Sequence, residues 1–379
     1  MTVEIIENAR IVTPDAIVRG WLAICDGRIA EIGEGRSPER GHDLAGDYLI
    51  PGLVELHTDH LESHATPRPR VKWHALAAAL AYDAQITASG ITTVFDSLRV
   101  GSDPDGPDTG ASAIALADAV ATARAEGLLR AEHRTHLRCE ICATDVLTGT
   151  RDFLSRHPVH LISLMDHTPG DRQFRDLDKW KIYFGGKGGL TDAELDALIE
   201  TRKSLRAENH DRHRTALVTL AKANGIVIAS HDDTTLEHVA EAMRDHVAIA
   251  EFPTTIEAAA ACHEAGIGVM MGAPNVVRGG SHSGNIAAET LAREGLLDIL
   301  SSDYVPASLL MGAFALDRLI EGYGLPQAIR LVTRDPAVAA GLGDRGAIAA
   351  DLRADLVRVH EVADLPVVRE VWREGRRVI

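Results

Sequence analysis

The chain has 379 residues, 45% of them hydrophobic and 25% charged, which is the balance of an ordinary globular protein. This length suits a single barrel with a minor domain rather than one small core. The formal net charge of -16 argues against a nucleic-acid partner. Because neither a charged-then-apolar leader nor a long apolar stretch appears, we expect a cytoplasmic protein with reduced thiols and no membrane partner.

Short strands are predicted at both ends of the chain. At the N-terminus the candidates are 3–7, 9–12, 21–25 and 28–32, with a hairpin signal at Asp26-Gly27. At the C-terminus they are 354–359, 367–372 and 373–378. This pattern predicts one small β-domain assembled from both termini, comprising residues 1–50 plus 345–379.

Between residues 51 and 344 apolar strand-like runs alternate with helical stretches such as 111–125, 192–205 and 236–244. Eight strands with intervening helices predict an α/β fold, a (β/α)8 TIM-like barrel. A doubly wound open sheet is the alternative, although no Gly-rich dinucleotide fingerprint supports it. The strand candidates are 53–56, 92–95, 134–141, 160–164, 226–229, 248–252, 268–271 and 299–301.

Cys139 and Cys142 form a C-x-x-C, a spacing that can indicate a zinc or redox pair. The pair begins within an apolar-alternating run, and no second pair follows. We therefore interpret both cysteines as small buried residues on a strand.

Histidines and carboxylates follow five of the predicted barrel strands. A lone residue of this kind is more often a satisfied structural group. Five such strand ends favour a metal site, because a buried ionisable group costs several kcal/mol unless it is paired or metal-bound. The residues are His57, Asp59, His60, Glu140, Asp166, His167, His231, Asp232, Asp233 and Asp303.

This set of side chains suits metal-assisted hydrolysis. Imidazole and carboxylate bind Zn, Mn, Fe or Ni, and a bridging carboxylate can hold two ions. Such ions polarise an electrophile and lower the pKa of a bound water molecule. Asp303 is then the natural general base, and the alternative is a helix cap or an outer hydrogen-bond acceptor.

The segment 51–59, Pro-Gly-Leu-Val-Glu-Leu-His-Thr-Asp, resembles the first-strand signature of the amidohydrolase superfamily. The resemblance implies a distorted (β/α)8 barrel, a small β-sandwich domain from both termini, and one or two divalent ions per subunit. The usual signature ends in His-x-His. Here it reads His57-Thr-Asp59, so either Asp59 or His60 is the second ligand.

A longer series of segments resembles the PhnM family of the carbon–phosphorus lyase pathway. The resemblance implies hydrolysis of α-D-ribose 1-methylphosphonate 5-triphosphate to the 5-phosphate and pyrophosphate. It also implies a phosphorylated small-molecule substrate and a functional association with other phosphonate-pathway enzymes. The matching segments are 57–62, 67–73, 136–140, 164–174, 229–233, 271–275, 278–285 and 300–304.

The superfamily pattern implies that His57 and Asp59 hold one metal, with Glu140 bridging. It places His167 and His231 on a second metal and makes Asp303 both ligand and base, so that His231 and Asp303 are the catalytic pair. Zinc is the expected ion. Basic residues in and beside these motifs are the candidate phosphate contacts, since Gly-rich loops with Lys or Arg approach phosphate oxygens closely: Arg68, Arg70, Lys72, Arg172, Lys181, Lys187, Arg278 and His282.

Two other functions stay open from the sequence. The same metal residues would serve an amidohydrolase or deaminase that acts on the C–N bond of a cyclic amide or amidine, although the basic loops favour an anionic substrate. A purely structural role in a phosphonate-processing assembly would not require ligands at five strand ends. A homo-oligomer is expected only on general grounds.

Overall fold

The computed structural model describes residues 3–68, 71–104, 108–174, 177–178, 180–182, 191–281 and 284–379. Two sheets organise them. In chain order the described strands are β1 (Val3–Val12), β2 (Ile17–Cys25), β3 (Arg28–Glu34), β4 (His42–Asp43), β5 (Tyr48–Pro51), β6 (Leu53–Thr58), β7 (Ile91–Val100), β8 (Glu132–Glu140), β9 (Leu161–Met165), β10 (Val227–His231), β11 (Ile249–Glu251), β12 (Gly268–Gly272), β13 (Ile299–Ser301), β14 (Leu356–Val362), β15 (Leu365–Arg373) and β16 (Arg376–Arg377).

Helices connect most of the strands in the middle of the chain. None of the helices in the described residues is long and apolar enough to span a membrane. Those named below are α1 (His60–Ala65), α2 (Ala75–Ala88), α3 (Thr109–Ala125), α4 (Val146–Leu154), α5 (Asp192–Ala223), α6 (Leu236–Asp245), α7 (Ile256–Glu264), α8 (Ala273–Arg278), α9 (Ala288–Arg293), α10 (Ser308–Leu319), α11 (Leu325–Arg330) and α12 (Arg334–Ala339).

The first sheet joins the two ends of the chain, as the sequence predicts. Its order is β16-β15-β14-β5-β1-β2-β3, with β4 beside β1, and it mixes parallel and antiparallel pairs. The predicted strands 3–7 and 9–12 form one strand whose register shifts between Ile6 and Ala9. Asp26 and Gly27 have φ angles of 49° and 77°, which fits the predicted hairpin turn. The division at residues 50/51 and 344/345 stays a prediction.

The second sheet is the barrel, with β6 to β13 in chain order and every pair parallel. The bridge between Thr58 and Asp303 brings the last strand beside the first, so the barrel is nearly closed. This order excludes the doubly wound alternative, in which the strand order reverses. Each predicted barrel strand is present.

One apolar cluster takes a residue from each of seven barrel strands, among them Val54, Phe95, Leu161 and Ile249. Only the barrel interior is shared by so many strands, so this cluster fills it. On β6, β10, β11 and β13 its members precede the polar strand-end residues, so they form the floor beneath the candidate site. A larger cluster packs the outer faces of the strands against the helices.

A buried ionic network joins α2 to the barrel. The His133 Nδ1 atom lies 3.0 Å from Asp96 Oδ2, and its Nε2 atom lies 3.3 Å from Asp83 Oδ1. Burial alone would lower the pKa of His133, but Asp96 and Asp83 overcome that effect and raise it to about 9. The imidazolium is therefore the form that this network stabilises.

Replacing His133 with Gln is expected to destabilise the fold by about 3–5 kcal/mol, because buried Asp96 loses its cation and Asp83 keeps only Arg130 at 3.1 Å. Since the folded pKa of about 9 exceeds the ordinary histidine value of 6.5, this stabilisation is complete below pH 6.5 and is lost as the pH rises through 9. Urea unfolding at pH 6.5 and 9.5 checks both points. Equal free energies of unfolding for the wild type and His133→Gln at pH 6.5 would contradict the prediction.

Candidate active site

The site is a cavity of about 760 Å³ at the carboxyl ends of the barrel strands. That is the face on which barrel enzymes carry their catalytic groups. Histidines, carboxylates and arginines line it together with a few apolar residues. The polar lining includes His57, Asp59, Glu62, Arg99, Asp103, Arg138, His167, Arg202, His231, Asp232, Arg278 and Asp303.

Three strands end at this cavity with a residue in the left-handed backbone conformation. Asp232, Phe252 and Asp303 follow β10, β11 and β13, and their φ angles of 56°, 55° and 51° are left-handed. Non-glycine residues adopt this conformation rarely and at a cost, which is typical of functional sites. Each residue also donates its N–H to a carbonyl of a neighbouring strand, at 2.8, 2.8 and 3.2 Å respectively. The left-handed residues therefore turn the chain at the cavity, while their backbone N–H groups keep the hydrogen bonds between neighbouring strands.

Three histidines each hold a carboxylate against Nδ1. The distance from Nδ1 to the nearer oxygen is 3.1 Å for His57 and Glu251, and 2.6 Å for His167 and Glu140. It is also 2.6 Å for His231 and Asp232. The ring centroids of His57 and His231 are 5.7 Å apart, and those of His167 and His231 are 5.4 Å apart. The three rings therefore share one region of the cavity.

This arrangement fits a divalent metal. A metal-binding histidine commonly donates one ring N–H to a carboxylate and ligates through the other nitrogen. For His167 and His231, whose Nδ1 atoms are hydrogen-bonded to a carboxylate, Nε2 is the nitrogen offered to an ion. His57 differs, because its Nδ1 atom and Glu251 Oε1 have no hydrogen-bond partner among the described residues and, with His136, could themselves hold an ion. Burial, followed by the charge of Arg138, holds the pKa of His57 well below its usual range, so this imidazole is neutral as a ligand must be.

Asp232→Asn is expected to lower metal affinity about 10- to 100-fold, because the amide no longer offers His231 Nδ1 a carboxylate. Competition with a metal indicator measures this affinity directly. Asp118→Asn, on the outer helix α3, is the matched control, since that carboxylate is exposed and pairs only with His157 among the described contacts. Equal affinities in the wild type and both variants would contradict the role of Asp232.

Asp303 lines the cavity beside the histidines. Burial, together with the charge of Asp59, raises the pKa of Asp303 to about 6. The strand that carries it is held by the buried Glu55, which accepts N–H groups from His57 at 2.7 Å and Ser302 at 2.6 Å. One carboxylate thus fixes the ends of both β6 and β13, the first and last strands of the barrel.

The other predicted ligands have different surroundings. Glu140 is buried and also accepts the His167 backbone N–H at 3.2 Å, so it touches a candidate ligand directly. Asp59 lines the cavity and lies 3.6 Å from Arg138. His60 begins α1, and its ring meets the His64 ring edge-on, with the centroids 5.0 Å apart. Because His60 does not line the cavity, Asp59 is the better placed of the two first-strand candidates.

The predicted phosphate contacts are dispersed. Among the described ones, Arg278 alone lines the cavity. Arg172 is buried in ion pairs with Asp233 at 2.8 Å and Glu241 at 3.3 Å, where it supports the loop after β10. Lys181 pairs with Asp196 at 2.6 Å. Arg68 and Lys72 are exposed away from the lining residues, and Arg70, Lys187 and His282 lie outside the described residues.

The two cysteines of the C-x-x-C are buried free thiols, as interpreted from the sequence. Cys139 belongs to β8, while Cys142 lies just after it and donates to Asp166 Oδ1 at 3.3 Å. Four residues in or beside the site are not predicted from the sequence: Glu251, His136, Arg99 and Arg138. Glu251 is the last residue of β11 and lies near the end of the predicted strand 248–252, so the strand-end rule that identifies His57 and His231 would have found it as well.

Comparisons with known proteins bear on the family and the fold of the chain. A model of the "Amidohydrolase family" matches residues 84–379. The "Alpha-D-ribose 1-methylphosphonate 5-triphosphate diphosphatase" of Escherichia coli (strain K12) is 46% identical over 377 residues, covering 99% of this chain and 100% of that protein.

Two solved structures share the fold. The N-acetyl-D-glucosamine-6-phosphate deacetylase of Mycobacterium smegmatis has a TM-score of 0.65 at 17% identity, covering 99% of this chain and 100% of that one. The 5-methylcytosine deaminase of Klebsiella pneumoniae has a TM-score of 0.66 at 15% identity, with 99% and 98% covered. At these identities the likeness concerns the fold alone.

Proposed function

The chain belongs to the amidohydrolase family, and we propose that it hydrolyses α-D-ribose 1-methylphosphonate 5-triphosphate to the 5-phosphate and pyrophosphate in phosphonate catabolism. The observation that carries this proposal is the relative with that printed activity, which is 46% identical along essentially the whole chain. The enzyme is accordingly a hydrolase of phosphorus-containing anhydrides. Arginines among the cavity-lining residues add support, because they provide the charge that a triphosphate requires.

We propose that His57, His167 and His231 hold one or two divalent ions, with Asp59, Glu140 and Asp303 as the carboxylate ligands. Zinc is the ion we propose, since imidazole and carboxylate suit it. When bound, the metal supplies positive charge that polarises the phosphoryl group and lowers the pKa of water. Every one of these side chains lies in or directly beside the cavity.

The chain's own residues then carry the reaction as follows. Asp303 takes a proton from water, whose oxygen forms a bond to the α-phosphorus. The bond from that phosphorus to its bridging oxygen breaks, and pyrophosphate leaves with the electron pair on that oxygen. Asp232 accepts a hydrogen bond from His231 Nδ1 and keeps that ring in one orientation, and Phe252 packs edge-on against the His57 and His231 rings at 5.0 and 5.3 Å.

The cellular setting completes the proposal. We propose a cytoplasmic homo-oligomer that acts beside other phosphonate-pathway enzymes, with residues 1–50 plus 345–379 as the terminal β-domain and 51–344 as the catalytic barrel. The paired strands of the terminal sheet support the first unit, and the nearly closed barrel supports the second.

The proposal is tested by incubating metal-loaded protein with the ribose triphosphate and following pyrophosphate by enzymatic detection. Ammonia release from cytosine, and ring opening of hydantoin, test the C–N alternative in parallel. Pyrophosphate release without C–N cleavage supports the diphosphatase. C–N cleavage without pyrophosphate release would instead support the amidohydrolase or deaminase alternative. Turnover in either assay would exclude a purely structural role.

A further inference from the structure

Arg99 on β7 and Arg138 on β8 form an arginine pair inside the cavity. They are direct partners in the parallel register of the two strands, and both line the cavity. The neighbouring register partners Leu98 and Leu137 belong to the outer apolar cluster. Since side chains alternate between the two faces of a strand, the two guanidinium groups project to the same, inner face.

This placement is unfavourable without an anion. Adjacent strands are about 4.8 Å apart, and like charges directly opposite one another are destabilising. Guanidinium groups stay protonated at every physiological pH, so the repulsion cannot be relieved by loss of a proton. A half-buried pair of this kind therefore calls for negative charge between or beside its members.

The protein's own carboxyl groups face the pair, Glu62 among them, but none of the described ones is within hydrogen-bond distance of Arg138. Arg138 comes no nearer than 3.6 Å to Asp59, and Arg99 is 3.9 Å from Glu140 and 3.1 Å from Asp103. The 3.6 Å distance of Arg138 from Asp59 is longer than the 2.6 Å between Arg358 and Asp47, a hydrogen-bonded structural pair.

The donors of the pair are also underused. Among the described residues the Nε atoms of both arginines are buried without a hydrogen-bond partner, and the Arg138 guanidinium makes no hydrogen bond to any of them. Buried donors in this state cost free energy until a ligand satisfies them.

In the strand order, β7 and β8 with the arginine pair lie on one side of β6, and β13, which Asp303 follows, lies on the other. Along the barrel the order is β13 with Asp303 beyond its end, then β6 with His57, then β7 and β8 with the two arginines. Attack by water that Asp303 deprotonates would thus begin on the side away from the arginines. In an in-line displacement the leaving group departs opposite the nucleophile, toward the pair.

We infer that Arg99 and Arg138 bind the β- and γ-phosphates of the substrate and stabilise the departing pyrophosphate. The inference rests on the proposed function for the identity of the ligand. Guanidinium groups match phosphate oxygens in a bidentate fashion, which lysines cannot do. In this proposal the leaving group is bound by residues within strands rather than by the basic loops.

The test measures pyrophosphate and ribose 5-phosphate binding to the metal-loaded protein by calorimetry. Arg99→Gln and Arg138→Gln are each expected to weaken pyrophosphate about 10- to 100-fold, since each removes a hydrogen bond to a charged group. Ribose 5-phosphate, which stands for the other product, is expected to change by less than about threefold. Arg318→Gln, on the outer face of α10, is the control arginine.

Metal content and thermal melting accompany each variant. If a Gln variant fails to fold, Arg99→Lys and Arg138→Lys keep the charge and are expected to weaken pyrophosphate by a smaller factor, because the bidentate contact is lost. Pyrophosphate binding within about twofold of wild type, or equal losses for both ligands, would overturn the inference. A wild type that binds pyrophosphate through the arginines but releases none from the triphosphate would refute the proposed function alone.

Discussion

Asp303→Asn is expected to reduce kcat for pyrophosphate release by about 10²- to 10⁴-fold, the range that a positioned general base contributes. Burial and the nearby Asp59 raise the pKa of Asp303 to about 6, so the side chain suits proton transfer near neutral pH. The amide is close in shape but cannot accept the proton. Steady-state kinetics under metal saturation measure the effect.

The substitution is informative only if the fold and the metal survive it. Asp118→Asn on α3 controls for the loss of a carboxylate, and it is expected to retain wild-type kcat because its site lies outside the cavity. Thermal melting and metal analysis of both variants complete the comparison. A kcat for Asp303→Asn within about threefold of wild type, at equal metal content, would remove Asp303 from its role as the base.

Removing the metal is expected to lower activity by roughly 10³-fold or more. Metal charge is worth several kcal/mol of transition-state stabilisation, and each 1.4 kcal/mol corresponds to about tenfold in rate. Dialysis against a chelator, followed by metal analysis and the pyrophosphate assay, measures this loss. Addition of zinc should restore activity in proportion to the metal taken up.

His231→Asn provides the matched control for this prediction. Because its ring belongs to the cluster that would hold the ion, the variant should bind less metal and regain little activity on zinc addition. Full activity in protein that analysis shows to be free of metal would refute the metal assignment. If zinc restored the metal content and activity of His231→Asn to wild-type levels, only the assignment of His231 as a metal ligand would be refuted.

The barrel follows from the sequence because its strands are short apolar runs with polar residues at their ends. The alternation of strands and helices is strong enough to identify each barrel strand, and β7 extends to Val100 where the pattern predicts an end at 95. Helix α5 is the larger discrepancy. It continues to Ala223 rather than 205, because its buried positions there include Asn209, His213 and Arg214, which interrupt an apolar period.

The candidate ligands are predictable for a similar reason. His57, His167 and His231 stand at strand ends, where a barrel concentrates its functional groups. The pairing of a ligand with its neighbouring carboxylate is harder to predict, since Glu251 and His57 are far apart in sequence and meet only through barrel closure. No local pattern encodes that pairing.

The proposed phosphate contacts are the least predictable part of the site. Glycine-rich loops with a basic residue are the familiar signal, yet Arg172 and Lys181 are engaged with acidic partners. Arg99 and Arg138 sit within strands, where one arginine among apolar residues has the pattern of an ordinary solvent-facing position. Only the register of β7 on β8 brings the two together.

The most direct measurement of the central claim follows the reaction of α-D-ribose 1-methylphosphonate 5-triphosphate in oxygen-18 water by phosphorus NMR, with metal-loaded protein. Water attack at the α-phosphorus predicts unlabelled pyrophosphate as the first phosphorus product, with the label in the ribose 5-phosphate group. Label in pyrophosphate, or orthophosphate as the first product, would contradict it.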